Sequence, residues 1–96
     1  MSRGEMLTIF CYDVSDNKRR RKVASLLEDN ATRVQYSVFE TRMTEVKANT
    51  VSQRVAAVLG EGDSLRVYAI GRNGERRSRV FGDGPPFESD EGYWLF

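Results

Sequence analysis

Asp13 lies five residues ahead of an unbroken run of cations, Lys18, Arg19, Arg20, Arg21 and Lys22, and Arg33 follows at a distance. A carboxylate close to clustered cations suits phosphate chemistry. Mg²⁺ takes oxygen ligands and often needs only one or two carboxylates beside water and phosphate oxygens. Asp13 is therefore the candidate ligand for Mg²⁺ or Mn²⁺ and the candidate catalytic residue. One such residue per chain is few, but a two-fold axis would supply a second copy and could make one shared site. The metal would lower the pKa of its bound water and so provide a nucleophile. Hydrolytic chemistry in this chain must use carboxylates, hydroxyls, cations or a metal held by oxygen. The chain has no histidine, which excludes Ser-His-Asp and Cys-His catalysis and histidine-ligated metals.

Each feature also has a plainer reading. A strand-end carboxylate often does no more than meet the start of the next helix, and a charge run is usually a solvated helix face. The position of this run favours function. A helix N-terminus carries about half a positive charge, so cations in the first turn are disfavoured by a few tenths of a kcal/mol each. Such local conflicts tend to mark functional sites. Free N–H groups at helix starts are also a familiar phosphate-binding device. Lys18, Arg19, Arg20, Arg21, Lys22 and Arg33 are accordingly the candidate nucleic-acid contacts.

The elements that must position these residues follow from periodicity. Met6 to Val14 alternates as a strand whose two faces are both largely apolar: Leu7, Ile9 and Cys11 on one, Phe10 and Tyr12 on the other. Both faces then need cover, from helices on one side and from a partner subunit on the other. Ser15 or Asp16 can cap a helix over Asn17–Glu28, with Val23, Leu26 and Leu27 as its buried stripe and Asn30 as its stop. Thr32 to Met43 reads as strand throughout, one long or two short, with Val34, Tyr36 and Val38 opposite Arg33, Gln35, Ser37 and Phe39. Tyr12, Tyr36 and Phe39 read as packed. Thr44 opens a second helix that ends at Leu59 before Gly60. Asp63–Ile70 is a strand, Gly71–Gly74 a turn, and Arg77–Phe81 a last short strand. Gly82 to Pro86 breaks the chain, and Tyr93, Trp94, Leu95 and Phe96 form an apolar end that needs cover, for example from a sheet edge of another subunit. This order predicts an α+β sandwich with helices on one face of an antiparallel sheet.

Composition sets limits around this frame. Ninety-six residues predict one domain over 1–96, of a size that dimerisation would help to stabilise. Net charge is +1, yet it divides unevenly: residues 1–60 hold ten Lys/Arg against seven Asp/Glu, and residues 61–96 hold five against seven. A local basic patch can bind nucleic acid without a high overall charge. No apolar run approaches the ~20 residues of a membrane span. The start lacks the apolar core of a signal peptide. A lone Cys11 excludes an internal disulfide framework and reads as inert in mid-strand. The expectation is a cytoplasmic protein without membrane contact. The aromatic signature of RNA-recognition motifs is absent.

Tyr12-Asp13-Val14-Ser15-Asp16, then Arg19-Arg20 through Leu26, then Arg33-Val34-Gln35-Tyr36-Ser37-Val38-Phe39-Glu40, resemble the CRISPR-associated Cas2 family in motif and spacing. Asp63 to Tyr68 and the closing Leu95-Phe96 extend the likeness over nearly the whole chain. The resemblance implies a ferredoxin-like βαββαβ sandwich with an extra C-terminal strand. It implies a homodimer formed by packing two sheets, with a tail over about 82–96 crossing to the partner. It also implies that Thr32–Met43 splits into two strands near Gln35–Ser37. The family's metal-binding aspartate matches Asp13, its basic helix residues match Arg20 and, with Lys for Arg, Lys22, and its "RVQ" arginine and "SVFE" aromatic match Arg33 and Phe39. Tyr12, Ser15, Asp16 and Phe39 are expected in support.

Two functions are implied. One is a metal-dependent endonuclease on double-stranded DNA or single-stranded RNA, acting in CRISPR spacer acquisition and antiviral defence. The other is a non-catalytic DNA-binding scaffold that works with the Cas1 integrase.

Overall fold

The computed structural model describes residues 4–88. Strand β1 (Met6–Asp13) is central. It buries Thr8, Phe10 and Tyr12 on one face and leaves Leu7, Ile9 and Cys11 half-buried on the other. Helix α1 (Asn17–Glu28) leads to the hairpin of β2 (Thr32–Gln35) and β3 (Val38–Met43). Helix α2 (Glu45–Ala56) then leads to β4 (Ser64–Ile70), a short α3 (Gly74–Arg77) and β5 (Arg79–Gly82). The strands form one sheet in the order β2-β3-β1-β4-β5, antiparallel throughout. The first six elements give the βαββαβ sandwich implied by the family resemblance, and β5 adds an edge strand beside β4. Tyr93–Phe96, expected to cross to a partner, lie outside the described residues.

The helices cover one face because their stripes match its side chains. Val23 and Leu27 of α1 and Ala48, Val51 and Val55 of α2 join Phe10, Phe39, Leu65 and Val67 in one core. Phe10 and Phe39 face each other across β1 and β3, and neither is exposed to solvent. Truncating either to alanine would cost about 3–5 kcal/mol, a large share of the ~5–15 kcal/mol that holds a small domain folded.

The hairpin decides the open reading of Thr32–Met43 in favour of two strands. Tyr36 and Ser37 form the turn although neither residue type demands one. Tertiary hydrogen bonds hold it instead: the Tyr12 amide donates to the Ser37 carbonyl at 3.1 Å, and the Tyr12 hydroxyl donates to the Tyr36 carbonyl at 3.2 Å. Pairing slips by one residue between Arg33 and Gln35, where Arg33 faces Phe39 and Gln35 faces Val38. This bulge breaks the alternation expected along one continuous strand.

Other boundaries shift for local reasons. Asp16 caps α1, but the C-cap is Asp29 rather than Asn30, whose side chain donates back to the Leu26 carbonyl at 2.9 Å. Helix α2 stops at Ala56, and Val58 and Leu59 continue through bonds three residues back, to Val55 and Ala56. Helix α3 occupies part of the expected turn and strand, so β5 begins at Arg79. A Cβ at Gly74 would lie 1.8 Å from the Ala69 carbonyl oxygen, so this close approach requires glycine. Among the described residues no helix is long and apolar enough to cross a membrane.

Candidate nucleic-acid and metal site

The site forms where β1 runs into α1. Asp13 ends β1 with its side chain exposed and shares a sheet face with Leu7, Ile9 and Cys11. Three residues on, Asp16 accepts the Arg19 amide at 2.9 Å. That hydrogen bond, with help from the Arg19 charge, holds the Asp16 carboxyl below its ordinary pKa. An ionised cap also suits the positive end of the helix dipole, which offsets part of the conflict raised by the cation run.

The five cations have different fates. The Arg19 Nε donates at 2.8 Å to Asp63, which is 1% exposed. Asp63 also accepts the amides of Gly60 (2.8 Å) and Ser15 (3.4 Å). The Arg19 guanidinium first, then these amides, keep the Asp63 carboxyl below its usual pKa against the opposing effect of burial. Arg20 folds back over the corner, donating to the carbonyls of Val14 (3.0 Å) and Ser15 (3.5 Å) and to the Asn17 side chain. Arg21 is exposed on the flank towards the hairpin. Lys18 and Lys22 are exposed on α1 as well.

Two adjoining hollows result. One is lined by Asp13, Tyr12, Val14, Arg20, Tyr36 and Ser37. The other lies between α1 and the hairpin and is lined by Arg20, Arg21, Ala24, Arg33, Tyr12 and Tyr36. Arg33 reaches the second from β2: its Nη1 donates to the Tyr36 carbonyl at 2.6 Å, and its guanidinium stacks over Phe39 at 4.9 Å from the ring centre. It also pairs with Glu28 at 3.5 Å. Three arginines thus border one groove, and a carboxylate stands at its end.

Several candidates from the sequence therefore meet here: Asp13, Arg20, Arg21, Arg33 and Tyr12. Tyr12 is buried and braces the hairpin through its hydroxyl. Lys18 and Lys22 line neither hollow. Arg19 is tied to Asp63, and Phe39 is core that carries Arg33 on its face. Cys11 is half-buried, and burial raises its pKa, with the Arg66 charge opposing. Tyr36 departs from the expectation that it packs, because it is 92% exposed. Asp63 was no candidate either. Its only local sign was a carboxylate opening an apolar strand, where a charge needs a partner.

A family model described as "CRISPR associated protein Cas2" matches residues 6–78. The chain belongs to the Cas2 family. The match takes in every element from β1 to α3. A Synechocystis relative, named a CRISPR-associated endoribonuclease Cas2, is 43% identical over 82 residues, covering 83% of this chain and 88% of the relative. The crystal structure of Streptococcus pyogenes Cas2 is 36% identical with a TM-score of 0.62, covering 80% of this chain and all of that one. A Thermus thermophilus structure, of hypothetical protein TT1823, is 37% identical with a TM-score of 0.67, covering 72% of this chain and 85% of that one. The Cas2 likeness therefore extends from motif to fold.

Among the described residues no group of three or more histidine, cysteine, aspartate or glutamate side chains could hold a metal. An exposed Asp13 still fits a hard, oxygen-liganded cation that keeps much of its water shell, and it does not suit a metal that demands nitrogen or sulfur ligands.

Proposed function

We propose that this Cas2 chain is an endonuclease whose phosphodiester substrate runs along the arginine groove and meets Asp13. The observation that carries the reading is the shared lining of the two hollows by Arg20, Tyr12 and Tyr36, which makes groove and carboxylate one surface. The name of the Synechocystis relative, an endoribonuclease, points the same way. Arg20, Arg21 and Arg33 would hold the backbone through phosphate oxygens; such contacts fix position and register without reading sequence. Asp13 would hold Mg²⁺ or Mn²⁺. When bound, the ion supplies Lewis-acid polarisation of the phosphate and lowers the pKa of its water. Asp16 and Asp63 act at a distance, fixing the corner that aims Asp13 and Arg20.

Two chains complete the site in this reading. Asp13 shares a face with Leu7, Ile9 and Cys11, and among the described residues no helix packs on that face, although Phe87 lies against Tyr68 and Arg66 at its β4 side. A homodimer packed through it would bring two Asp13 carboxylates towards a common axis.

A second reading draws on the presence of one candidate carboxylate per chain. The groove binds a duplex without chemistry, as a scaffold beside the Cas1 integrase in spacer integration. One experiment separates the two: cleavage of labelled single-stranded RNA and duplex DNA by wild type and Asp13→Ala, with Mg²⁺, Mn²⁺ or EDTA. Metal-dependent cleavage that disappears in the variant supports the nuclease. Cleavage that survives both EDTA and Asp13→Ala overturns it, and binding without cleavage supports the scaffold.

A further inference from the structure

Tyr36 helps to line both hollows, yet the nuclease reading gives its ring no task. It sits at the hairpin tip with 92% of its surface exposed. It lines the Asp13 hollow, the arginine groove, and a third hollow with Arg33, Val34 and Gln35. Its backbone is held while its ring is free: the Tyr36 carbonyl accepts both the Tyr12 hydroxyl and the Arg33 Nη1. A turn built without glycine or proline is anchored from two directions, and what the anchors present to solvent is a phenol ring among three guanidinium groups.

We propose that Tyr36 is a base-stacking residue that sets a preference for unpaired nucleotides beside Asp13. This rests on the nuclease reading for its substrate and adds a specificity-determining residue to it. An aromatic face takes the flat face of an unstacked base, while neighbouring cations follow the backbone. A base inside a duplex has both faces occupied and cannot use the ring. Anchoring the turn in advance lowers the ordering cost when the base arrives. The exposed Val34, 47% accessible, widens the apolar surface on the far side of the ring. A protein partner would use the same ring differently, burying it whatever the nucleic acid, so the test must tell these apart.

The test is fluorescence anisotropy with three 12-nucleotide probes: a single-stranded RNA, an abasic strand with the same phosphodiester backbone, and a duplex of the same sequence. Wild type, Tyr36→Ala and Tyr36→Trp are compared in buffer containing EDTA, and sedimentation reports the oligomeric state of each. The alanine variant is expected to weaken single-stranded RNA binding about tenfold, to leave the abasic strand and the duplex unchanged, and to keep its oligomeric state. The tryptophan variant is expected to bind like wild type. Equal RNA affinity for wild type and Tyr36→Ala would overturn the proposal, as would an equal loss on the abasic strand. Dissociation of the alanine variant into monomers would make Tyr36 a subunit contact and overturn it too. Because EDTA suppresses metal-dependent cleavage, the two readings fail separately. A Tyr36-dependent affinity in a protein that never cleaves would sink the nuclease and keep the stacking. Cleavage by wild type with no Tyr36 effect on affinity would do the reverse.

Discussion

The Nε of Arg19 lies 2.8 Å from the Oδ2 of Asp63, joining the first turn of α1 to the residue that precedes β4. Forty-four residues separate the partners in sequence. The Asp63 carboxylate also accepts the Ser15 and Gly60 amides, so one buried carboxylate ties together the β1–α1 corner, α1 and the α2–β4 loop. These bonds cross-link the corner that carries Asp13 and Arg20, and Arg19 belongs to the frame.

Asp63→Ala should lower stability by about 2–3 kcal/mol, since it leaves buried amide donors and a guanidinium without their acceptor. The Arg19 side chain is 35% exposed, so water replaces part of what is lost and limits the cost. Denaturant unfolding at pH 7 measures it, and a loss below 0.5 kcal/mol would remove Asp63 from the frame. The pH dependence has a definite sign. The folded carboxyl titrates below its ordinary value, so its stabilisation is complete above the unfolded-chain pKa of about 4 and fades as the pH falls through the folded one. The gap between wild type and Asp63→Asn should therefore narrow in acid.

Arg19 and Arg21 are neighbours with opposite predicted behaviour. Arg21→Ala should leave thermal stability nearly unchanged and flatten the salt dependence of single-strand binding by roughly 0.7 in log–log slope, the loss of one phosphate contact. Arg19→Ala should lower the melting temperature and leave the slope alone. A slope change in Arg19→Ala equal to that in Arg21→Ala would show that Arg19 reaches the nucleic acid after all.

Tyr12→Phe tests whether the buried hydroxyl braces the hairpin. Its bond to the Tyr36 carbonyl is one of two there, so the cost should stay near 1 kcal/mol. The clearer readout is hydrogen exchange at the position-12 amide, which donates to the Ser37 carbonyl at 3.1 Å and should exchange faster while the sheet centre stays protected. Unchanged exchange at that amide would assign the restraint to Arg33 alone.

Ile9→Glu places a charge in the middle of the sheet face on which, among the described residues, no helix packs. If that face is the homodimer interface, the variant should sediment as a monomer and lose metal-dependent cleavage while remaining folded by circular dichroism. A dimeric Ile9→Glu would move the interface elsewhere.

Much of this protein was legible in its sequence because the relevant signals are local. The alternation along Met6–Asp13, the stripes of α1 and α2 and the caps at Asp16 and Thr44 depend on residues within a turn or two of one another. So does the placing of Asp13 at a strand end ahead of a cationic helix. The motifs around Asp13, Arg20 and Arg33 were enough to suggest the Cas2 family. What the sequence left open depends on contacts between distant segments. The Tyr36–Ser37 turn has no glycine or proline, and Tyr12 and Arg33 hold it by donating to its carbonyls. Arg19 and Arg20 look alike in the run, yet a buried Asp63 takes one and the β1–α1 corner takes the other. Tyr36 reads as one more packed aromatic until the bulge and the turn lift it into solvent beside the arginines. Residue type and spacing set the elements and the chemistry on offer, and packing between segments far apart in the chain decided which of those side chains remain available to a ligand.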